Sequence, residues 1–236
     1  MIVAIHQPQF MPWLGYFDKM DRADCFVLLD NVQFKKNEWQ NRNKIRALGG
    51  TQWLTVPVTY RFPQKISEVN VHEGGNWMRK QLQALRTNYS TAAHWKDAEE
   101  WLTSFYSHDW RELTAINRAS IEWISEILDI STPLRWASSM KLRSDPTDRL
   151  LDICDEVGAD TYLSGAGGRE YLQVDRFSGA GVEVTFQEFA HPAYTQNLEN
   201  FESHLSAIDL ILNCGKDSSR IFRTAQQLQQ PQASKG

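Results

Sequence analysis

His6 closes the apolar run IVAI and is followed by Gln7-Pro8-Gln9-Phe10-Met11-Pro12-Trp13. An imidazole at that point can donate to a phosphate oxygen or move a proton. The plainer reading is a histidine bonded to its own loop backbone. Gln7, Pro8 and Pro12 restrict the loop and favour the functional reading. A second set follows the apolar run CFVLL: Asp30, Asn31, Gln33, Lys35 and Lys36, then Asn41, Arg42, Asn43 and Lys44. Arginine grips phosphate or carboxylate through two parallel bonds, and lysine acts as a point charge. A solvated loop is the alternative, but it leaves Phe34 and Trp39 among the charges unexplained.

The third set is Ser164-Gly165-Ala166-Gly167-Gly168-Arg169. Glycines between a strand and a helix start can turn a nest of amide donors toward an anion. No Gly-Lys-Ser follows, so this is not a P-loop, and Glu170 stands where a GxGxxG fingerprint needs its last glycine. A tight strand-to-helix turn is equally compatible. His191 to Gln196 forms an extended turn after a later strand and adds Tyr194 and Gln196 as candidates. Aromatic faces suit sugars and nucleobases, which brings in Trp13 and Trp39, although most of the nine tryptophans should be core residues. Asp18, Asp21 and Asp24 lack calcium-loop spacing and should be surface residues, and no Cys-x-x-Cys pair exists. No metal-ligand set is therefore expected. No Ser-His-Asp set or nucleophile elbow is visible.

The elements that position these residues follow from periodicity. Ile2–Ile5 and Cys25–Leu29 are continuous apolar runs, as in parallel strands buried on both faces. Between them Trp13, Tyr16, Phe17 and Met20 form one helical stripe, begun by Pro12. A right-handed crossover makes the two strands parallel and puts His6 and Asp30 on one sheet edge. Residues 31–50 read as a polar segment, 53–58 as a strand and 61–75 as turns. Helices are predicted over about 76–88, 95–106 and 110–129, a helical insertion or lid. Alternation then resumes: a strand at 134–137, a helix at 146–157 capped by Asp145 and ended by Gly158, and strands at 161–164 and 182–186. A short helix from about 169 and helices at 201–214 and 218–228 complete the chain. The expected fold is α/β, a doubly wound, mostly parallel Rossmann-like sheet with a helical insertion. Residues 1–230 should form a single domain and 231–236 a disordered tail. Ligands in such sheets bind beyond the carboxyl ends of the strands, where the strand order reverses.

The chain has 236 residues, a net charge of −4 and 42% hydrophobic residues, enough for a real core. No overall basic excess points to nucleic acid or a membrane surface as the main partner. Three dispersed cysteines, the lack of a leader and the lack of a long apolar run suggest a cytoplasmic protein without membrane insertion.

Five stretches carry a family resemblance: IHQPQFMPWLGYFDKM, ADCFVLLDNVQFKKNEWQNRNKI, WLTVPV, DTYLSGAGGREYL, and Tyr194 and Gln196 with LSAIDLILNCG. In this order, from residue 2 to 215, they resemble the WbqC-like family of bacterial proteins, linked to O-antigen and other surface-glycan biosynthesis. The resemblance implies transfer of an acyl or aminoacyl group such as glycine to an amino sugar or sugar nucleotide. The opening strand, histidine loop and helix are also similar to pantothenate synthetase and nucleotidylyltransferases, which implies ATP with Mg2+. The chain departs from those enzymes in lacking the second histidine of their His-x-Gly-His pair and their late Lys/Ser motif. On this reading His6, Arg42 and Lys44 are the catalytic set, steadying an α-phosphate. Gln7, Pro8, Trp13, Asp30, Asn31, Gln33, Lys35, Trp39, Asn41, Ser164, Gly165, Gly168, Tyr194 and Gln196 line the substrate or nucleotide. Expected partners are a small-molecule donor, a sugar nucleotide and other glycan-pathway enzymes. A non-catalytic sugar-nucleotide-binding or partner-binding protein remains the alternative, as does a nucleotidyltransferase. The missing Asp-x-Asp motif argues against a common glycosyltransferase type.

Overall fold

A computed structural model describes residues 1–227; the 231–236 tail lies outside them. Five strands form one all-parallel sheet: β1 (Ile2–His6), β2 (Cys25–Leu28), β7 (Leu134–Trp136), β8 (Thr161–Ser164) and β9 (Glu183–Phe186). Their order is β7-β2-β1-β8-β9. The chain winds outward from β1 to one edge, then returns to build the other half, so the order reverses between β1 and β8. That is the switch point where α/β sheets open a crevice.

Helices cover both faces, hence the unbroken apolar strands. On one face Val3, Ile5, Cys25 and Val27 pack with Ile153 and Cys154 of α5 (Pro146–Val157) and Phe177 of α6 (Val174–Gly179). On the other, Ala4, Phe26, Leu28 and Leu163 pack with α1 (Leu14–Asp21), and with α4 (Leu113–Ile127), α7 (Ile208–Cys214) and α8 (Ser218–Gln227). The caps read from sequence are present. Asp145 Oδ1 accepts from the amides of Thr147 (3.0 Å) and Asp148 (2.9 Å), and Gly158 ends α5 at φ +72°.

The 31–50 segment departs from expectation. Instead of one polar stretch it holds β3 (Arg42–Ala47), paired antiparallel with β4 (Gly50–Thr55), and a small ladder β5 (Val58–Thr59) with β6 (Asn70–Val71) follows. Ile45, Leu54 and Val56 face inward, but Asn43 shares the inner side of β3 and cations fill its alternate positions, so the strand carries too few apolar residues to read as one. These hairpins pack on α2 (Trp77–Tyr89), α3 (Trp95–Phe105), α4 and α7 around a further core. The helix expected over 201–214 shrinks to Ile208–Cys214, because the backbone before it bonds elsewhere: Glu202 to the Gln196 side chain, the Ser206 amide to the Lys44 carbonyl at 2.9 Å and the Ala207 amide to the Pro12 carbonyl at 2.8 Å. The short helix near 169 is a 3-10 turn, Ala166–Glu170, followed by α6.

Candidate functional site

A cavity of about 430 Å³ opens at the reversal point. Its walls come from the ends of β1 and β8, the turn after β8, the start of α5 and one residue of α1. The main lining residues are His6, Gln7, Lys19, Arg149, Ser164, Gly165, Gly168 and Tyr171, with Ile5, Leu29, Val32 and Leu150 supplying apolar wall. No lining residue comes from α2–α4, so those helices are not a lid over this cleft; they are the backing of the hairpins.

His6 is half-buried, its ring edge-on to Tyr16 at 4.9 Å. Burial, with the Lys19 ammonium nearby, pushes its pKa down to about 3, so the ring is neutral near pH 7. Nδ1 lies 3.1 Å from the Gln7 carbonyl. In the neutral ring Nδ1–H donates to that oxygen, which leaves Nε2 as an acceptor. The side chain of Gln7 is fixed as well: its Oε1 accepts from Gln40 Nε2 at 2.6 Å, and Gln40 Oε1 accepts from the Lys35 amide at 2.9 Å.

Lys19 is 2% exposed and lines the cleft. Its Nζ donates to the Ile5 carbonyl at 2.7 Å, and among the described residues no carboxylate lies within ion-pair distance. Neighbouring Asp18 serves Arg22 and Gln187 instead. Desolvation lowers the Lys19 pKa to about 7. A buried ammonium without a counter-ion is costly unless something else supplies the negative charge. Sequence reading missed this residue. Nothing in the sequence signalled it, or the burial of Asp18, expected at the surface: α1 carries Asp18, Lys19 and Asp21 among its eight residues and reads as a one-striped helix with a solvated face.

The turn after β8 is packed tightly. Ser164 Oγ donates to the Gly165 carbonyl at 3.2 Å, and a Cβ built on Gly168 would lie 2.1 Å from that Oγ and 3.0 Å from Leu172 Cδ1. Gly168→Ala is therefore expected to destabilise the fold by roughly 1–3 kcal/mol through overpacking. Thermal denaturation checks it: Ser164→Gly in the same chain should recover most of the loss, and a fully stable single variant would contradict the reading. Gly165, Gly167 and Gly168 of this turn line the cleft, and no side chain caps the start of its 3-10 turn. Arg149 Nη2 is anchored on the Ser144 carbonyl at 2.7 Å, which aims the rest of its guanidinium from the α5 side.

The structure thus gathers His6, Gln7, Ser164, Gly165 and Gly168 in one cleft and distributes the other candidates elsewhere. Arg42 and Lys44, expected beside His6, lie on the outer face of β3 instead, 4.1 and 5.1 Å from the Trp53 ring, with Trp39 at 5.5 Å. Alternation along the strand puts both cations on the solvent side. Pro8 is buried, its carbonyl facing Asn117 Nδ2 at 3.4 Å. Trp13 packs between Phe189 and His204 and over Gly15. Asp30 is a framework acceptor, taking the Ser138 amide at 2.8 Å, and Asn31 donates toward the Ala137 carbonyl at 3.5 Å. Gln33 bridges to Lys65, while the buried Asn41 joins the Val56 carbonyl to the Asn37 amide. Tyr194 and Gln196 both donate to Asp209 Oδ2, at 2.8 and 2.7 Å, within a buried network. His191 borders a separate cavity against α8. Among the described residues no group of three or more His, Cys, Asp or Glu side chains is placed to hold a metal ion. No helix among them is long and apolar enough to cross a membrane.

An all-parallel sheet of this order, covered on both faces and open at its reversal, defines a Rossmann-like α/β protein. The WbqC-like protein family model matches residues 7–221, and the chain belongs to that family. It is also similar to the uncharacterized protein Rv1507c of Mycobacterium tuberculosis (strain ATCC 25618 / H37Rv). The two are 35% identical over 229 residues, covering 95% of this chain and 99% of the relative. No solved structure matches the chain.

Proposed function

We propose that the cleft binds a phosphorylated small molecule, and that the chain transfers an acyl or aminoacyl group such as glycine to an amino sugar or sugar nucleotide in surface-glycan (O-antigen) assembly. The observation that supports this reading is the buried Lys19, without a carboxylate partner, lining the same switch-point cleft as a neutral His6. Phosphate oxygens would supply the missing negative charge, shared with Arg149 and the amides after Ser164. As the acceptor amine attacks the acyl carbon, a C–N bond forms and the bond to the phosphate leaving group breaks. His6 Nε2 accepts a hydrogen bond from the attacking amine and orients it, the amine proton passes to the departing phosphate oxygens, and Lys19 holds those oxygens.

ATP fits the donor set of the cleft, and would activate the acid. Lys19 and Arg149 would hold its phosphates, and Leu29, Val32 and Leu150 offer an apolar wall to a base. No carboxylate lines the cleft, so Mg2+ would be held mainly by the phosphates. Cytoplasmic sugar nucleotides and partner enzymes of the glycan pathway belong to the same reading.

The test is a transfer assay on the purified protein, with ATP-Mg2+, glycine and other small acids, and amino-sugar nucleotides, read by mass spectrometry. Product formation falling about 10²-fold in His6→Gln supports the reading. Binding without turnover in any combination would leave a non-catalytic sugar-nucleotide-binding protein. A pH profile adds a signature. His6 stays neutral above about pH 3, so it contributes no limb between pH 5 and 8. Lys19 loses its proton above about pH 7 in the free protein, so phosphate-ligand affinity should fall by up to tenfold per pH unit above that point. A flat affinity from pH 6 to 9, or a limb near 6.5 abolished by His6→Gln, would contradict the assignment.

A further inference from the structure

The overall charge of −4 conceals one basic segment. Residues 35–65 hold seven of the 25 lysines and arginines but one of the 29 acids, Glu38, a local charge of +6. In the fold this segment is the β3–β4 hairpin and the loop joining β5 to β6. Arg46 is buried, its guanidinium on the Gly50, Glu199 and Asn200 carbonyls. Among the described residues none of the other six has a carboxylate within ion-pair distance, although Arg22, Arg111, Arg143 and Arg176 elsewhere all do. Arg42 and Lys44 line the outer face of the hairpin, and Trp39 and Trp53 are each 39% exposed beside them. Leu48, at the tip of the β3–β4 hairpin, is 89% exposed, and Phe62, in the β5–β6 loop, is 75% exposed. Exposed large apolar residues at loop tips amid unpaired cations are the composition of a surface that meets water on one side and lipid on the other.

We propose that the β3–β4 hairpin and the β5–β6 loop together form a peripheral docking surface for an anionic lipid bilayer. Lysines and arginines meet lipid phosphates, indoles sit at headgroup level, and Leu48 and Phe62 enter the acyl boundary. Charge complementarity favours an anionic partner. The two apolar tips favour lipid over nucleic acid, whose backbone offers them nothing to bury against. The proposal concerns a face other than the cleft and stands without the transfer reading.

The test is co-flotation with vesicles of phosphatidylcholine alone or with 30% phosphatidylglycerol. The protein should float only with the anionic vesicles and less at high salt. Lys36→Gln and Lys65→Gln, both at exposed positions, should each weaken binding about fivefold. Leu48→Ser with Phe62→Ser should weaken it further with an unchanged melting temperature. Several results would overturn the proposal: no flotation at low salt, equal flotation on neutral vesicles, or single-stranded DNA bound as tightly as anionic vesicles and indifferent to the apolar pair. A dimer that dissociates in Leu48→Ser, with no vesicle binding, would assign the tips to self-association and overturn it too.

Discussion

Lys19→Met is expected to abolish binding of phosphorylated ligands in the cleft and, in the same molecule, to raise the melting temperature. The two effects share one cause. Methionine fills nearly the same volume without requiring a counter-ion, so the desolvation cost of the ammonium disappears. Against this stands the lost bond to the Ile5 carbonyl, worth about 1–2 kcal/mol. A net gain of about 2 kcal/mol corresponds to roughly 5 °C for a chain of this size. The pH dependence has a definite sign. The folded-state pKa of about 7 lies below the model-peptide 10.5, so the unfolded chain holds more protons between these values. Lys19 therefore destabilises the fold fully below pH 7, and the penalty fades as pH rises toward 10.5. The advantage of Lys19→Met should be largest at pH 6 and small at pH 10. Denaturation curves at both pH values check this; a variant less stable at pH 6 would show that Lys19 has a stabilising partner in the fold.

Asp209→Ala should produce the largest loss of stability. The carboxylate is fully buried and accepts from Tyr89 Oη at 2.6 Å, Tyr194 Oη at 2.8 Å and Gln196 Nε2 at 2.7 Å. Tyr89 Oη also accepts the Arg46 amide at 2.8 Å, while the Arg46 guanidinium holds the Glu199 and Asn200 carbonyls. One side chain thus joins α2, β3, α7 and the loop after β9. Burial raises the Asp209 pKa, while its three donors and Arg46 oppose that rise. Truncation leaves the donors buried and unsatisfied, at about 3–5 kcal/mol, or roughly 10 °C. Asp209→Asn keeps an acceptor and should lose less. A change under 2 °C in Asp209→Ala would show that the loop is held by other contacts.

The sheet and its switch point were legible because double-sided burial writes itself as unbroken apolar runs at Ile2–Ile5 and Cys25–Leu29, and the later strands alternate with capped helices. The Asp145 cap and Gly158 stop were legible because each residue type answers a local backbone need. The β3 strand was not, since its solvent side carries Arg42 and Lys44 and its inner side carries Asn43 beside Ile45. Half of the candidate cleft was readable for the same reason: His6, Gln7 and the Ser164–Gly168 turn sit at strand ends, which topology brings together. Arg42, Lys44, Tyr194 and Gln196 have the chemistry of ligands but meet Trp53 and Asp209 instead. Polar residue type does not say whether the partner is a substrate or the protein. Lys19 was hidden by the opposite rule, because a lysine on a helix is usually solvated.

The most direct test of the switch-point cleft is thermal denaturation against pyrophosphate, AMP, ATP-Mg2+ and sugar nucleotides, comparing wild type, Lys19→Met and the Arg42→Gln/Lys44→Gln pair. A ligand at ~100 times its dissociation constant adds about 2.7 kcal/mol to the folded state. At least one phosphorylated ligand should raise the midpoint in wild type and in the Arg42/Lys44 pair, and not in Lys19→Met. A shift that survives Lys19→Met and vanishes in the Arg42/Lys44 pair would move the site to the hairpin face, and no shift with any ligand would contradict the cleft as a phosphate site.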